Sequence, residues 1–407
     1  MSATGNAVKL KGIFNPGELS VVLVESIKSF IKNNLFMSSA ALAYYGIFAS
    51  IPMLILAALS LVSYFTSSQE AITGLKNITS IVLPDHQDVI LTEVNKLSSL
   101  KGAWGIIGIV ACIWSITPLM STLRIVFAAI FKETNQRSFF IELAIDVAVV
   151  FLFLVLLIAL VIAEIIYSQL TSVLFKNIPF LYHMIGISTN LLLSIAVLAA
   201  LFYVFIPVKT GFWNIFAGVA LTSVLWLVVK PSFAYFIVVN PHFGFAFGSL
   251  KTILLIILWV YISFFILLAG VEFTANMHRK GVVALKYLIE TPHGKNRNAL
   301  LYKYARQYSA SAMVFNDGDK GSEMFYILSG AVQITENGLP INALHEGQTF
   351  GEISMLLNSN RTKTAVAIED NTLLLPINTA DFDMLSKYDP QLVTTLLKEM
   401  AKKLSRI

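Results

Sequence analysis

Six apolar runs, each long enough to cross a bilayer, dictate most of what this chain can fold into. They are read at 36–65, 104–131, 139–170, 184–208, 213–239 and 250–276. In lipid a backbone must satisfy its own hydrogen bonds, so runs of this length are expected as helices. Pro52, Pro118 and Pro231 lie inside three of them, where each removes a donor and favours a kink. Of the 407 residues only 13% are charged, about half the share of a soluble domain. The deficit is confined to the apolar region, and the stretch beyond it has an ordinary soluble composition. At least two domains follow.

The boundaries drawn from this are a cytoplasmic N-terminal segment 1–34, a membrane domain 35–276, a linker 277–311 and a tail domain 312–407. Basic residues near helix ends set orientation. Lys9, Lys11, Lys28 and Lys32 precede the first run, and Arg124, Lys132 and Arg137 flank the second connection. Lys209 lies in the fourth, and Arg279, Lys280, Lys286, Lys295 and Arg297 follow the sixth run. The pattern places both termini in the cytoplasm, and the even number of runs agrees. The first connection, 66–102, dissents with Lys76, Lys96 and Lys101, and Val89, Leu91, Val94 and Leu97 suggest a short amphipathic helix there, or loop packing. The run after the N-terminal segment is too long for a cleaved signal. Cys112 is the only cysteine, which excludes a disulfide framework and a Cys-rich metal site.

Charges at membrane depth are costly and face protein or water. Arg124, Glu142, Asp146, Glu164, Lys230 and Glu272 are the candidates. Glu142 and Asp146 share one helix face, which either carries a proton or cation or pairs with Arg124 or Lys230. Asp146, Glu164, Lys230 and Glu272 lie deepest by count and form the candidate intramembrane charge site. Glu164 and Glu272 are also near enough to helix ends to snorkel. The small residues Ser38, Ser39, Ala40, Ala41 and Ala43 are read as a close-packing face. The stretch 240–249 is rich in Gly and Phe and is either an aromatic belt or a re-entrant loop.

Several short motifs carry a family likeness. Ala40-Ala41-Leu42-Ala43-Tyr44-Tyr45-Gly46-Ile47-Phe48-Ala49-Ser50-Ile51-Pro52 opens the series. Trp114-Ser115, Leu123-Arg124 and Phe127 follow, then Tyr203-Val204-Phe205-Ile206-Pro207 and Gly218. Phe247-Gly248-Ser249, Trp259-Val260-Tyr261 and Gly270-Val271-Glu272-Phe273 close it. In order and spacing the region from about 20 to 280 resembles the YihY/BrkB family. The resemblance implies an inner-membrane protein of several spans.

The tail reads as short strands broken by glycines. Met313-Val314-Phe315 is one strand, and the stretch 323–334 is two strands turning at Ser329-Gly330. Asn337-Gly338 marks a hairpin. The spacing suggests a β-roll or jelly roll, closed by a strand at 373–377 and by an amphipathic helix at 391–404. In the linker, Leu300, Tyr304 and Tyr308 fall four apart and read either as a connecting helix or as a passive basic spacer.

The chemistry concentrates in Phe350-Gly351-Glu352-Ile353, with Arg361-Thr362 following Glu352 after eight intervening residues. A glycine lets backbone approach an anion, an arginine offers a charged fork to phosphate oxygens, and a carboxylate accepts from a hydroxyl. This run resembles the phosphate-binding cassette of cyclic-nucleotide-binding domains of the CAP-like kind, over about 312–407. The resemblance implies that Gly351 and Ile353 supply backbone N–H groups, that Glu352 holds the ribose, Arg361 the phosphate, and Thr362 the ligand through its hydroxyl. Asn360 departs from the usual proline, which is expected to loosen the turn. Lys363 departs from the usual small residue, and either attracts phosphate or crowds the base.

Two functions remain at this level. One is a transporter of a lipid or an anionic solute, regulated by cytosolic cAMP or cGMP. The other is a signalling or scaffold protein that recruits partners through its tail. No selectivity-filter sequence, nucleophile–base pair, metal cluster or basic nucleic-acid face is visible, so channel, enzyme and nucleic-acid roles are not expected. The expected partners are a cyclic nucleotide and membrane lipids, with no resident cofactor. The sequence is compatible with a homodimer and does not establish one.

Overall fold

The computed structural model describes residues 16–64, 103–133, scattered helical positions between 141 and 155, 195–240, 248 and 250–404. The chain divides into two compact units. Ser29–Ala275 forms one, and Met1–Lys28 together with Asn276–Ile407 forms the other.

The elements begin with α1 (Pro16–Lys32), α2 (Leu35–Tyr64) and α3 (Ala103–Phe131). The short apolar helix α4 (Ile195–Phe205) follows, then α5 (Phe212–Val239) and α6 (Leu250–His278). Four of these, α2, α3, α5 and α6, are long and apolar enough to cross a membrane. They begin and end within two residues of the first, second, fifth and sixth expected runs. The third run and the start of the fourth lie outside the described residues, apart from isolated helical positions, as do the 66–102 connection, Glu142, Glu164 and nearly all of 240–249.

The core of the Ser29–Ala275 unit joins Leu42 and Ala49 of α2, Ile116, Phe127 and Ile130 of α3, Phe202 of α4 and Leu268 and Val271 of α6. Without water to drive association, such helices depend on close approach. Of the small residues on α2, Ser39 and Ala43 are buried and Ser38 is half-buried, whereas Ala40 and Ala41 are exposed, so only part of that set packs. Gly46 faces Phe264 and Val260 of α6, where an added Cβ would lie 2.7 Å from the Phe264 ring. Among the described glycines, the closest approach between helices joins α5 and α6. A Cβ on Gly218 would lie 1.7 Å from Thr274 Oγ1, and one on Gly270 would lie 1.8 Å from Thr222 Oγ1. Both threonine hydroxyls are folded back, Thr222 donating to Gly218 O at 2.8 Å and Thr274 to Gly270 O at 2.9 Å. Polar groups are thus satisfied within each helix, and the glycines leave the room they need.

The other unit continues with α7 (Lys280–Glu290) and α8 (Arg297–Tyr304). Eight strands follow: β1 (Arg306–Tyr308), β2 (Met313–Phe315), β3 (Glu323–Ser329), β4 (Ala331–Glu336), β5 (Leu339–His345), β6 (Thr349–Phe350), β7 (Thr364–Ala367) and β8 (Thr372–Asn378). Between β6 and β7 lies α9 (Glu352–Leu357), and α10 (Thr379–Tyr388) and α11 (Pro390–Leu404) end the described chain. The strands form two antiparallel four-stranded sheets, ordered β1-β8-β3-β6 and β2-β7-β4-β5. Their facing sides enclose Phe325, Ile327, Val332, Leu344, Phe350, Ala365 and Leu374. Asn337 and Gly338 both take positive φ, 53° and 79°, as a two-residue hairpin between β4 and β5 requires.

The linker expectation needs correction. Leu300 and Tyr304 do share α8, but Ala305 is extended and Tyr308 belongs to β1, where it pairs with Thr372 of β8. Sheet pairing overrides the helical period from residue 306 onward. Among the helices not anticipated, two make contacts that matter here. One is α10, capped by Asn378, whose Oδ1 accepts from Asp381 N at 2.8 Å. The other is α1. Glu18 on it accepts from Lys303 Nζ at 2.7 Å and from Tyr304 OH at 2.6 Å. Glu25 accepts from Tyr388 OH at 2.7 Å and from Lys286 Nζ at 2.8 Å. Lys286 also lies 2.8 Å from Asp389, and the Arg279 guanidinium sits 4.3 Å above the Tyr388 ring. Burial pushes the Glu25 carboxyl up, but the Lys286 and Tyr388 hydrogen bonds outweigh it and hold the group below its ordinary value. The same holds for Glu18 with Lys303 and Tyr304.

Candidate functional site

The cassette is built where β6 stops. Phe350 is a buried strand residue, and Gly351 then turns the chain with φ 76°, the left-handed region that favours glycine. The single-turn helix α9 begins at the next residue and ends at Asn358, also left-handed at φ 49°. A Cβ on Gly351 would lie 2.6 Å from Arg361 Nη1, so this glycine is required both by the turn and by the arginine beside it.

Arg361 is 4% exposed. Its Nη1 donates to Gly351 O at 2.7 Å and its Nη2 to Glu323 O. Its guanidinium lies 4.2 Å from the centroid of Phe315, a stacked arrangement that a lysine would not reproduce. Phe315, Phe325 and Phe350 stack in turn, with centroids 5.3 to 6.1 Å apart. The arginine is therefore held between two carbonyls and an aromatic ladder. Its Nε is buried with no hydrogen-bond partner among the described residues, and none of the ion pairs seen among them involves its guanidinium. Burial draws its pKa below the ordinary arginine value, and the charges of Glu323, Asp319 and Glu352 offset this only in part.

The residues named from the sequence are distributed as follows. Gly351, Glu352 and Arg361 come together: Glu352 is half-buried as the first residue of α9, and its charge acts on Arg361. Ile353 presents an exposed side chain, 52%, so only its backbone is available to the site. Thr362 is exposed next to Arg361. Asn360 stands in a paired stretch of backbone. It bridges to Lys320, and the flanking backbone is tied by Arg361 N to Asp319 O at 2.7 Å, Gly318 N to Arg361 O at 2.9 Å and Gly321 N to Ser359 O at 3.2 Å. Lys363 lies 3.5 Å from Glu336 at the end of β4, which engages its charge away from the cassette.

The intramembrane candidates are not gathered into one cluster among the described residues. Asp146 is 3% exposed and pairs with Arg124 at 2.7 Å. Glu272 is fully buried and accepts from Asn33 Nδ2 at 3.0 Å, and Asn33 Oδ1 accepts from Lys132 Nζ at 2.7 Å. Lys230 is exposed on α5, and Glu164 lies outside the described residues. The first pair is one of the two that the sequence left open. The Glu272–Asn33–Lys132 chain was not foreseen, because Asn33 sits in the turn before α2 and carries no periodic signal.

Residues 26–292 match the family described as Virulence factor BrkB. The chain belongs to that family. The BrkB region is followed by a cyclic nucleotide-binding domain, matched over residues 305–389. A UPF0761 membrane protein of Aggregatibacter aphrophilus is 25% identical over 268 residues, covering 64% of this chain and 95% of that protein. The chain is thus a membrane protein of BrkB type. The human Rap guanine nucleotide exchange factor 3 is 28% identical over 131 residues, 32% of this chain, and this chain spans only 14% of that protein. Among solved structures, the Thermus thermophilus catabolite activator protein is 27% identical, covering 29% of this chain and 59% of that one, with a TM-score of 0.24.

Sequence reasoning missed Glu323 and Arg306 as neighbours of the cassette. The Glu323 carboxylate receives both Nη groups of Arg306, one at 3.0 Å, while its carbonyl receives Arg361. Nothing in local spacing marks either residue, since β1 and β3 meet only through β8.

Proposed function

We propose that the C-terminal domain binds cAMP or cGMP, with Arg361 as the phosphate cation and Glu352 as the ribose acceptor, and that binding biases the state of the BrkB region. The observation that carries this reading is the buried Arg361 guanidinium, fixed by carbonyls and rings rather than by a carboxylate. A cyclic phosphodiester carries one negative charge and presents oxygens that suit such a fork. The match to the cyclic nucleotide-binding family supports the same reading. The basic residues flanking the apolar runs favour a cytoplasmic tail, where the nucleotide would be met.

For the BrkB region the proposed activity is movement of a lipid or an anionic solute. The buried Arg124–Asp146 pair and the buried Glu272 support it, since charge at membrane depth is retained where function uses it. A ligand regulates only through a difference in its affinity for two states. The role is that of a non-catalytic, regulated membrane protein.

The test is calorimetry of the purified full-length protein with cAMP and with cGMP, followed by flux in reconstituted vesicles. Wild type should bind one of the two, and Arg361→Ala should abolish saturable heat. Absence of heat from wild type at millimolar nucleotide would remove the ligand assignment. In vesicles, movement of a fluorescent phospholipid or of inorganic phosphate should change with nucleotide. Movement of neither probe would remove the transport assignment, movement of either that nucleotide leaves unchanged would remove its regulation, and both outcomes leave binding intact.

A further inference from the structure

Glu323 serves two arginines by two different groups. Its backbone carbonyl accepts from Arg361 Nη2, and its carboxylate is taken by Arg306 through both Nη atoms. Arg306 reaches it from β1 across β8, the strand that separates β1 from β3. Both guanidiniums border one ring: Arg306 lies 5.8 Å and Arg361 6.0 Å from the Phe325 centroid.

This arrangement sets up a competition. The Arg361 guanidinium already touches the Glu323 backbone, so the carboxylate on that residue is a few rotatable bonds from it. A carboxylate and a phosphate present the same paired oxygens to a guanidinium. Once turned toward Arg361, Glu323 would neutralise the cation and occupy the fork. Attraction between charges is stronger beside a buried group than in bulk water, so a carboxylate turned this way would compete with a ligand phosphate for the fork. What opposes it is Arg306, which gives the same carboxylate a bidentate partner on the other side. The Arg306–Glu323 pair is itself partly exposed, 44% and 24% at the side chains, so its contribution to overall stability is small. Its placement explains its presence better than its strength does.

We infer that Arg306 is a positioning residue for the anion site: by holding the Glu323 carboxylate it keeps Arg361 available to the phosphate of a cyclic nucleotide. The inference rests on the reading of Arg361 as the ligand's cation. Arg306 acts through Glu323 and need not touch the ligand.

The experiment is calorimetry of full-length wild type, Arg306→Ala, Glu323→Gln and the double variant with cAMP and with cGMP. Thermal unfolding in the same detergent checks that each is folded. Arg306→Ala should weaken binding by about tenfold or more, within the usual range of coupling between two sites. Adding Glu323→Gln removes the competing charge and should return affinity to within about threefold of wild type, the residue left by imperfect additivity. Glu323→Gln alone should bind at least as well as wild type. Wild-type affinity in Arg306→Ala would overturn the inference. So would a loss that Glu323→Gln does not restore, because a merely structural Arg306 would not be rescued by neutralising its partner. If Arg306→Ala fails to fold, weaker binding by Glu323→Gln alone would overturn it independently. No binding by wild type would instead strike the ligand assignment beneath it, so the two failures are distinct.

Discussion

Gly270→Ala tests whether the α5–α6 crossing is held by contact between backbones. The new Cβ would lie 1.8 Å from Thr222 Oγ1, 3.0 Å from Gly218 O and 3.1 Å from Thr222 Cβ. The hydroxyl is the severe obstacle, and it cannot swing away without breaking its 2.8 Å bond to Gly218 O. Overpacking of this kind costs about 1–3 kcal/mol, while replacing glycine by alanine inside a helix returns about 1 kcal/mol. An approach of 1.8 Å belongs in the upper part of that range, about 2–3 kcal/mol, so the net expectation is a loss of about 1–2 kcal/mol, or a midpoint drop of roughly 2–8 °C for a unit of this size. Thr222→Ala removes the hydroxyl and leaves contacts near 3 Å that a few tenths of an ångström relieve. The double variant should therefore unfold close to Thr222→Ala alone, which makes the pair a double-mutant cycle with strong coupling. Gly281→Ala is the control, since its Cβ would meet nothing nearer than 3.9 Å, and it should be neutral or slightly stabilising. Thermal unfolding in detergent gives all four midpoints. If Gly270→Ala unfolds at the wild-type temperature, or if Thr222→Ala fails to rescue it, the crossing is not as close as described and the reasoning fails.

Three other outcomes are expected. Gly351→Ala should weaken nucleotide binding as severely as Arg361→Ala, because it strains a φ of 76° and drives a methyl into Arg361 Nη1; calorimetry on the intact protein reads this. Asn378→Ala should cost about 1 kcal/mol by removing the α10 cap, seen as earlier amide exchange in residues 379–388. Acid should loosen α1 before the sheets: Glu18 and Glu25 have lowered values, so their stabilisation is complete above the ordinary carboxylate value and is lost as pH falls through the lowered one. Hydrogen exchange in α1 between pH 6 and pH 3 should show protection disappearing in that direction, and the reverse trend would refute the assignment.

Much of the architecture was legible from local pattern. Long apolar runs fix helices because lipid offers the backbone no other partner, and α2, α3, α5 and α6 accordingly fall where hydropathy placed them. The β4–β5 hairpin was legible because Asn337-Gly338 tolerates two successive positive φ angles. Gly351, Glu352 and Arg361 were legible because one short run carries them. The rest depends on contacts across long separations. Glu25 and Tyr388 are 363 residues apart, and no periodicity joins them. In α1 apolar residues lie on both faces, with Val21, Val22 and Phe30 buried and Val24, Ile27 and Ile31 exposed, so its pattern does not announce a docking side. The α10 cap is the exception: Asn378 with Asp381 three residues on is a start signal that sequence reading could have used. Arg306 was hidden by being counted as linker, when pairing with β8 draws it into the sheet.

Helices α1, α7 and α10 are built into one another. Glu25 and Asp389 grip the same ammonium of Lys286, and the phenol of Tyr388 completes the knot. An excised tail starting at residue 305 would therefore be a different object from the tail in the whole chain. It would carry Tyr388 and Asp389 to the surface without the lysine and glutamate that clothe them. Affinities measured on such a fragment would describe the stripped form, and a change in α1 would be felt at Tyr388, 363 residues along the chain from Glu25.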